Sequence, residues 1–108
     1  MKKARILIVE DNNGMREILM KILVNIGFKN VTGAENGKLA WEKMQKAQFD
    51  LVISDLMMPE MNGFELLKQI RNSNNHISDL PVIITTASHD VADINEALKW
   101  KINGYLTK

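Results

Sequence analysis

Three uninterrupted apolar runs constrain this chain more than anything else in it: Ile6-Leu7-Ile8-Val9, Leu51-Val52-Ile53 and Val82-Ile83-Ile84. A strand with one wet face alternates apolar and polar residues, so a run without alternation belongs to a strand covered on both faces. Such strands are parallel and flanked by helices. Each run also ends in polar residues: Glu10 and Asp11 after the first, Ser54 and Asp55 after the second, Thr85 and Thr86 after the third. Open α/β sheets bind their ligands outside the carboxyl ends of their strands. Asp55 is therefore the first site candidate, with the loop over 56–63 folding around it.

The segments between the runs read as helices. Asn12-Asn13-Gly14 supplies a turn and an N-cap, and Met15, Ile18, Leu19, Ile22, Leu23 and Ile26 then fall at the spacing of an amphipathic helix stopped by Gly27. Residues 28–34 form a weaker strand with Val31 and Ala34 as apolar members, and its polar character suits a sheet edge. Glu35-Asn36-Gly37 turns the chain into a second helix whose apolar stripe is Ala40, Trp41, Met44 and Ala47. Pro59 and Gly63 punctuate the loop after Asp55, and Phe64, Leu66, Leu67 and Ile70 define a third helix. Residues 72–79 are polar and aperiodic, which predicts a surface loop. Asp90 is the expected N-cap of a fourth helix carrying Val91, Ile94, Ala97 and Leu98, and 104–107 the last strand.

This alternation implies an α/β fold, a doubly wound parallel sheet with short right-handed connections. The carboxyl ends of the strands then collect on one edge. That edge brings together Glu10, Asp11, Asp55, the Thr85-Thr86 pair and Lys108.

Length and composition exclude several functions. A chain of 108 residues supports one domain, spanning 1–108. Its 14 Lys and Arg against 13 Asp and Glu leave a formal charge of +1, which offers no field for nucleic acid or a membrane surface. With no cysteine there is no disulfide, thiolate metal site or cysteine nucleophile, and a reducing, cytoplasmic compartment fits. The apolar run after the basic start is too short for an export signal or a membrane span.

Three carboxylates gathered at one edge repel one another, and a divalent cation is the natural resolution. Oxygen ligands, few in number and without His or Cys, suit Mg²⁺, which keeps several waters and commonly shares its shell with a phosphate. The hydroxyl of Thr86 and the ammonium of Lys108 are placed to hold the remaining oxygens of a phosphoryl group. An ionised carboxylate attacks phosphorus directly, which makes Asp55 the candidate nucleophile.

These residues resemble the receiver domain of two-component response regulators, of the chemotaxis-regulator type. The marks are Glu10-Asp11 after ILIV, the DLMMPEMNG segment beginning at Asp55, the TTA segment at Thr85 to Ala87 and the GYLTK ending at Lys108. The resemblance covers essentially the whole chain. It implies a flavodoxin-like, five-stranded parallel sheet of order 2-1-3-4-5. It implies Asp55 as phosphoacceptor, Glu10, Asp11, Asp55 and the Met57 main-chain carbonyl as Mg²⁺ ligands, and Thr86, the Ala87 main-chain N–H and Lys108 as phosphoryl-binding groups. Thr86 and Tyr105 would be the switch pair, the ring moving between outward and inward positions. The implied protein is a signalling phosphoacceptor rather than an enzyme. It takes its phosphoryl group from a sensor histidine kinase or phosphotransfer protein and passes a changed surface near the fourth helix and last strand to a downstream protein or a C-terminal output domain.

The chain also departs from that family. Glu10 is the longer acid where many receivers carry Asp, Lys101 stands where Gly often ends the fourth helix, and Trp100 is unusually large and is expected to cover the sheet edge. No proline and fifth helix follow Lys108. Loss of that helix predicts either a piece of a longer polypeptide or two copies covering each other's exposed sheet face as a homodimer. A receiver-fold interaction module that signals without phosphate is the alternative function. An aspartyl-phosphate phosphatase would want a second acid where Met57 stands. His76 and His89 read as solvated, and Met57, Met58 and Met61 as loop packing.

Overall fold

A computed structural model describes residues 3–58, 61–87 and 91–107. In chain order its elements are β1 (Arg5–Val9), α1 (Asn13–Ile26), β2 (Asn30–Ala34), α2 (Gly37–Lys46), β3 (Leu51–Asp55), α3 (Gly63–Arg71), a 3-10 turn (His76–Asp79), β4 (Val82–Thr86), α4 (Val91–Lys99) and β5 (Gly104–Thr107). The strands form one parallel sheet of order β2-β1-β3-β4-β5. The weak second strand is at an edge, as its polar residues predict, and begins at Asn30 rather than at residue 28.

Local chemistry sets the helix ends. Asn12 accepts from Met15 N, and Asn36 accepts from Leu39 N. Gly27, at φ 122°, ends α1 with its N–H on the carbonyls of Leu23 and Val24, a conformation only glycine takes without strain. Lys101 ends the turn after α4 at φ 57°, a left-handed position that a side chain tolerates poorly. The expected Asp90 cap lies outside the described residues. The stretch expected as a plain loop contains the 3-10 turn, because Asn75 caps it and Ile77 is buried.

The two faces of the sheet are unequal. Leu7, Val52 and Val82 share a row of the register and are buried with Ala40 and Met44 of α2 and Leu66, Leu67 and Ile70 of α3. The neighbouring row, Ile8, Ile53 and Ile83, lies on the opposite face, where α1 sits over β2 with Arg16 and Met20 against Gly33. That helix was expected to bury its apolar stripe, yet none of its residues is buried. Leu19 and Leu23 are half-buried, while Met15, Ile18, Ile22 and Ile26 remain exposed. One helix covers only part of a five-stranded face. Ile53 and Ile83 are accordingly half-covered, and Leu106 is exposed.

Candidate functional site

Strand pairing delivers the first acid. Glu10 N donates to Ala34 O at 3.0 Å, extending the β1–β2 ladder one residue, and the Glu10 side chain is only 2% exposed. Asp11 stands exposed at the start of the turn. Asn12, which caps α1, turns its own N–H back to Glu10 Oε2 at 3.3 Å. The main-chain oxygen of Glu10 accepts from Arg16 Nη1 at 2.7 Å, and Arg16 Nη2 reaches Asn13 Oδ1.

Strand β3 delivers Asp55, which is 6% exposed. Its main-chain oxygen accepts from Ser54 Oγ at 2.9 Å, and Leu56 N continues the ladder to Thr85 O at 2.9 Å. The loop returns close upon itself. Gly63 N donates to Leu56 O at 2.8 Å, and a Cβ on Gly63 would stand 2.6 Å from Asp55 O. Glycine is required there for space. A capping box between Asn62 and Glu65 starts α3 just behind it. Met58 is buried and Met61 half-buried in loop packing, whereas the Met57 side chain is exposed.

Carboxylate oxygens of Glu10, Asp11 and Asp55 all lie within 4.8 Å of one another. Two of these acids are buried, where like charges are screened least and water is scarce. The donor set is all oxygen, from three carboxylates on one loop and two strand ends, and it fits a hard divalent cation that keeps part of its water shell. Thr86, fully buried, ends the neighbouring strand one register step beyond Thr85, the partner of Asp55. Ala87 follows it on the surface. Pairing of Thr86 with Thr107 carries β5 to the same edge, and Lys108 itself lies outside the described residues. Tyr105 is half-buried and packs against the central core cluster with its hydroxyl out of contact with solvent.

Other expected residues stand elsewhere. Trp41 packs against the core, and His76 is exposed in the 3-10 turn. Trp100 is half-buried; its Nε1 donates to Glu96 Oε2 at 3.2 Å, with the Lys68 ammonium 5.7 Å from its ring. That bond is the first cause holding the Glu96 carboxyl below its ordinary range. An open pocket of about 440 Å³ lies at the amino edge, lined by Arg71, Asp79, Lys99, Trp100, Lys101 and Asn103 among others, and contains none of the acids. Sequence reasoning missed Arg16, whose contact depends on space left above Gly33. It read Gly63 only as punctuation, although a glycine eight residues after a strand-end acid is a usable signal of close return.

A parallel sheet of this order with three acids gathered at its carboxyl edge defines a doubly wound α/β domain with an acidic site at that edge. The model of the response regulator receiver domain matches residues 6–108, and the chain belongs to that family. The chain is 39% identical over 107 residues to the chemotaxis protein CheY-3 of Vibrio cholerae, covering 99% of this chain and 82% of that one. Among solved structures, the chemotaxis protein CheY4 of Vibrio cholerae superposes with a TM-score of 0.91 at 32% identity, over 98% of this chain and 87% of that one. The response regulator TrrA of Thermotoga maritima, in complex with Mg²⁺ and BeF, gives a TM-score of 0.84 at 32% identity, over 97% of this chain and 86% of that one.

Proposed function

We propose that this domain is a Mg²⁺-dependent phosphoacceptor switch of a two-component system, with Asp55 as the acceptor. The observation that carries this reading is the approach of the Glu10, Asp11 and Asp55 carboxylates within 4.8 Å at the end of a buried parallel sheet. Glu10, Asp11 and Asp55, with the Met57 carbonyl, would hold the ion. The bound cation supplies neutralisation of charge on the phosphoryl oxygens. Asp55 contributes the nucleophilic oxygen: its O–P bond forms as the P–N bond of a donor phosphohistidine breaks, the electron pair leaving with the imidazole. Thr86, the Ala87 N–H and Lys108 receive the transferred oxygens.

The domain is on this reading a signalling acceptor rather than a turnover catalyst. Phosphate adds about 1.5 to 2 negative charges at neutral pH and favours a conformer with Thr86 drawn toward it and Tyr105 held inward. The partners are a sensor histidine kinase or phosphotransfer protein on the input side and a downstream protein or output domain on the other. A cytoplasmic location accompanies a donor phosphohistidine made from ATP. Homodimerisation is supported by the exposed Met15, Ile18, Ile22 and Ile26 stripe of α1. Among the described residues, no helix is long and apolar enough to cross a membrane.

The deciding measurement is Mg²⁺-dependent binding of beryllofluoride, followed by NMR. Binding lost in Asp55→Ala, with shifts at Thr86 and Tyr105, is expected. An Asp55→Asn variant labelled by a small phosphodonor at the wild-type rate and at the same position overturns the assignment.

A further inference from the structure

The turn between β1 and α1 carries two of the three acids, and a single side chain spans it. Arg16 Nη1 donates to the Glu10 main-chain oxygen at 2.7 Å, Nη2 to Asn13 Oδ1, and the Arg16 N–H to Asn12 O at 2.9 Å. The stem of that side chain crosses β2 where Gly33 stands. A Cβ there would lie 3.1 Å from Arg16 Cδ, 3.4 Å from Cγ and 2.9 Å from Met20 Sδ. Gly33 does not have the positive φ that would itself call for glycine. A glycine inside a strand marks a place where another group comes close, and here the groups are the Met20 thioether and the Arg16 stem.

Glu10 and Asp55 are buried at strand ends, but Asp11 is exposed on a turn, where like charge on the other two carboxylates would oppose its approach. The Glu10 carbonyl belongs to the peptide plane that leads into Asp11. Because that plane is rigid, holding its oxygen fixes the direction in which Asp11 leaves the strand. We propose that Arg16 is a positioning residue for divalent-cation binding, a brace seated over Gly33 that keeps Asp11 in register with Glu10 and Asp55. The proposal rests on the metal-site reading above.

Two substitutions interrupt the brace without changing its charge. Arg16→Lys keeps the cation and loses the planar fork, and Gly33→Val keeps Arg16 and fills the lane of its stem. Calorimetric titration with Mg²⁺ is expected to show roughly tenfold weaker binding in each. In the double variant the loss should be no greater than in the worse single, since both open the same contact. Without metal, amide exchange at Asp11 and Asn12 should quicken in both. A role in stability alone would lower the melting temperature while leaving Mg²⁺ affinity and these amides unchanged, and that result overturns the proposal. If Gly33→Val does not fold, Arg16→Lys and Gly33→Ala decide by the same readings. Failure of the wild-type chain to bind Mg²⁺ removes the metal-site reading, and with it the purpose assigned to the brace. Normal wild-type binding with unaltered variants removes the brace alone.

Discussion

The two edges of the sheet use charge in opposite ways. At the amino edge every donor of one guanidinium is matched. Arg71 Nε donates to Trp100 O at 2.9 Å, Nη1 to Ser78 O at 3.2 Å and Leu80 O at 2.6 Å, and Nη2 to Lys101 O at 3.0 Å and Asn103 Oδ1 at 3.1 Å. Asn103 Oδ1 also accepts from Val82 N at 2.9 Å, so the starts of β4 and β5 are tied to the end of α3 through one cation. Burial pulls the Arg71 pKa below its ordinary value, opposed by the nearby Asp79. Across the same edge, the Arg5 guanidinium and main-chain N–H both donate to Asp50. At the carboxyl edge three like charges are instead crowded together. Matched charge holds the scaffold, and crowded charge is kept where a cation would relieve it.

The sharpest break in this contrast is Arg71→Met. It takes the Arg71 donors from four carbonyls at the amino edge, leaves Asn103 Oδ1 with Val82 N, and is expected to destabilise the domain by about 3 kcal/mol. Arg71→Lys should restore less than half of that, because an ammonium cannot span the fork. Denaturant melts of the three proteins test it, and a loss below about 1 kcal/mol would mean that the amino edge is no more than a solvated surface. Gly63→Ala comes next. Its Cβ would meet Asp55 O at 2.6 Å, and the loop must shift at a cost of about 2 kcal/mol. Its wild-type stability would show that the loop is not pressed against Asp55.

The contrast was only half legible in the sequence. The acids showed because each followed an apolar run, so that strand ends marked their own positions. The edge strand, the Asn12 cap and the Gly27 stop were legible because each rests on local chemistry. Arg71 was not. An arginine at the end of a helix reads as a solvated charge complementing the dipole, and its five acceptors come from segments that only the tertiary fold brings near. Ile18 and Ile22 of α1 failed for a different reason. Periodicity tells which residues share a helix face, not how much sheet lies beneath it, so these exposed residues and the half-buried Leu19 and Leu23 give the same signal. The 3-10 turn was hidden because one apolar residue, Ile77, carries no period at all.

At the carboxyl edge the expected sign reverses. Glu10→Gln keeps the shape and an acceptor for Asn12 N, removes one of three crowded charges, and is expected to stabilise the metal-free domain by about 1 kcal/mol. With Mg²⁺ at ten times its Kd the wild-type domain should gain about 1.4 kcal/mol, and the variant much less, so that the order of their melting temperatures closes or inverts. Destabilisation by Glu10→Gln without metal would remove the idea that these charges strain the fold.

The smallest effect belongs to the amino edge and is set by pH. Hydrogen bonds from the Arg5 side chain, then from its main chain, hold the Asp50 carboxyl below its ordinary range. Folding therefore favours the ionised form. The contribution of Asp50 is complete above the unfolded-state pKa of about 3.9, and it disappears as the pH falls through the lower folded value. The melting-temperature gap between wild type and Asp50→Asn should be level from pH 8 to about pH 5 and should narrow from about pH 4 downward. A gap that begins to close near neutrality would assign the pH dependence to some other group. One that stays constant to the lowest measurable pH would show that the Arg5–Asp50 contact at 3.3 Å does not distinguish the folded from the unfolded chain.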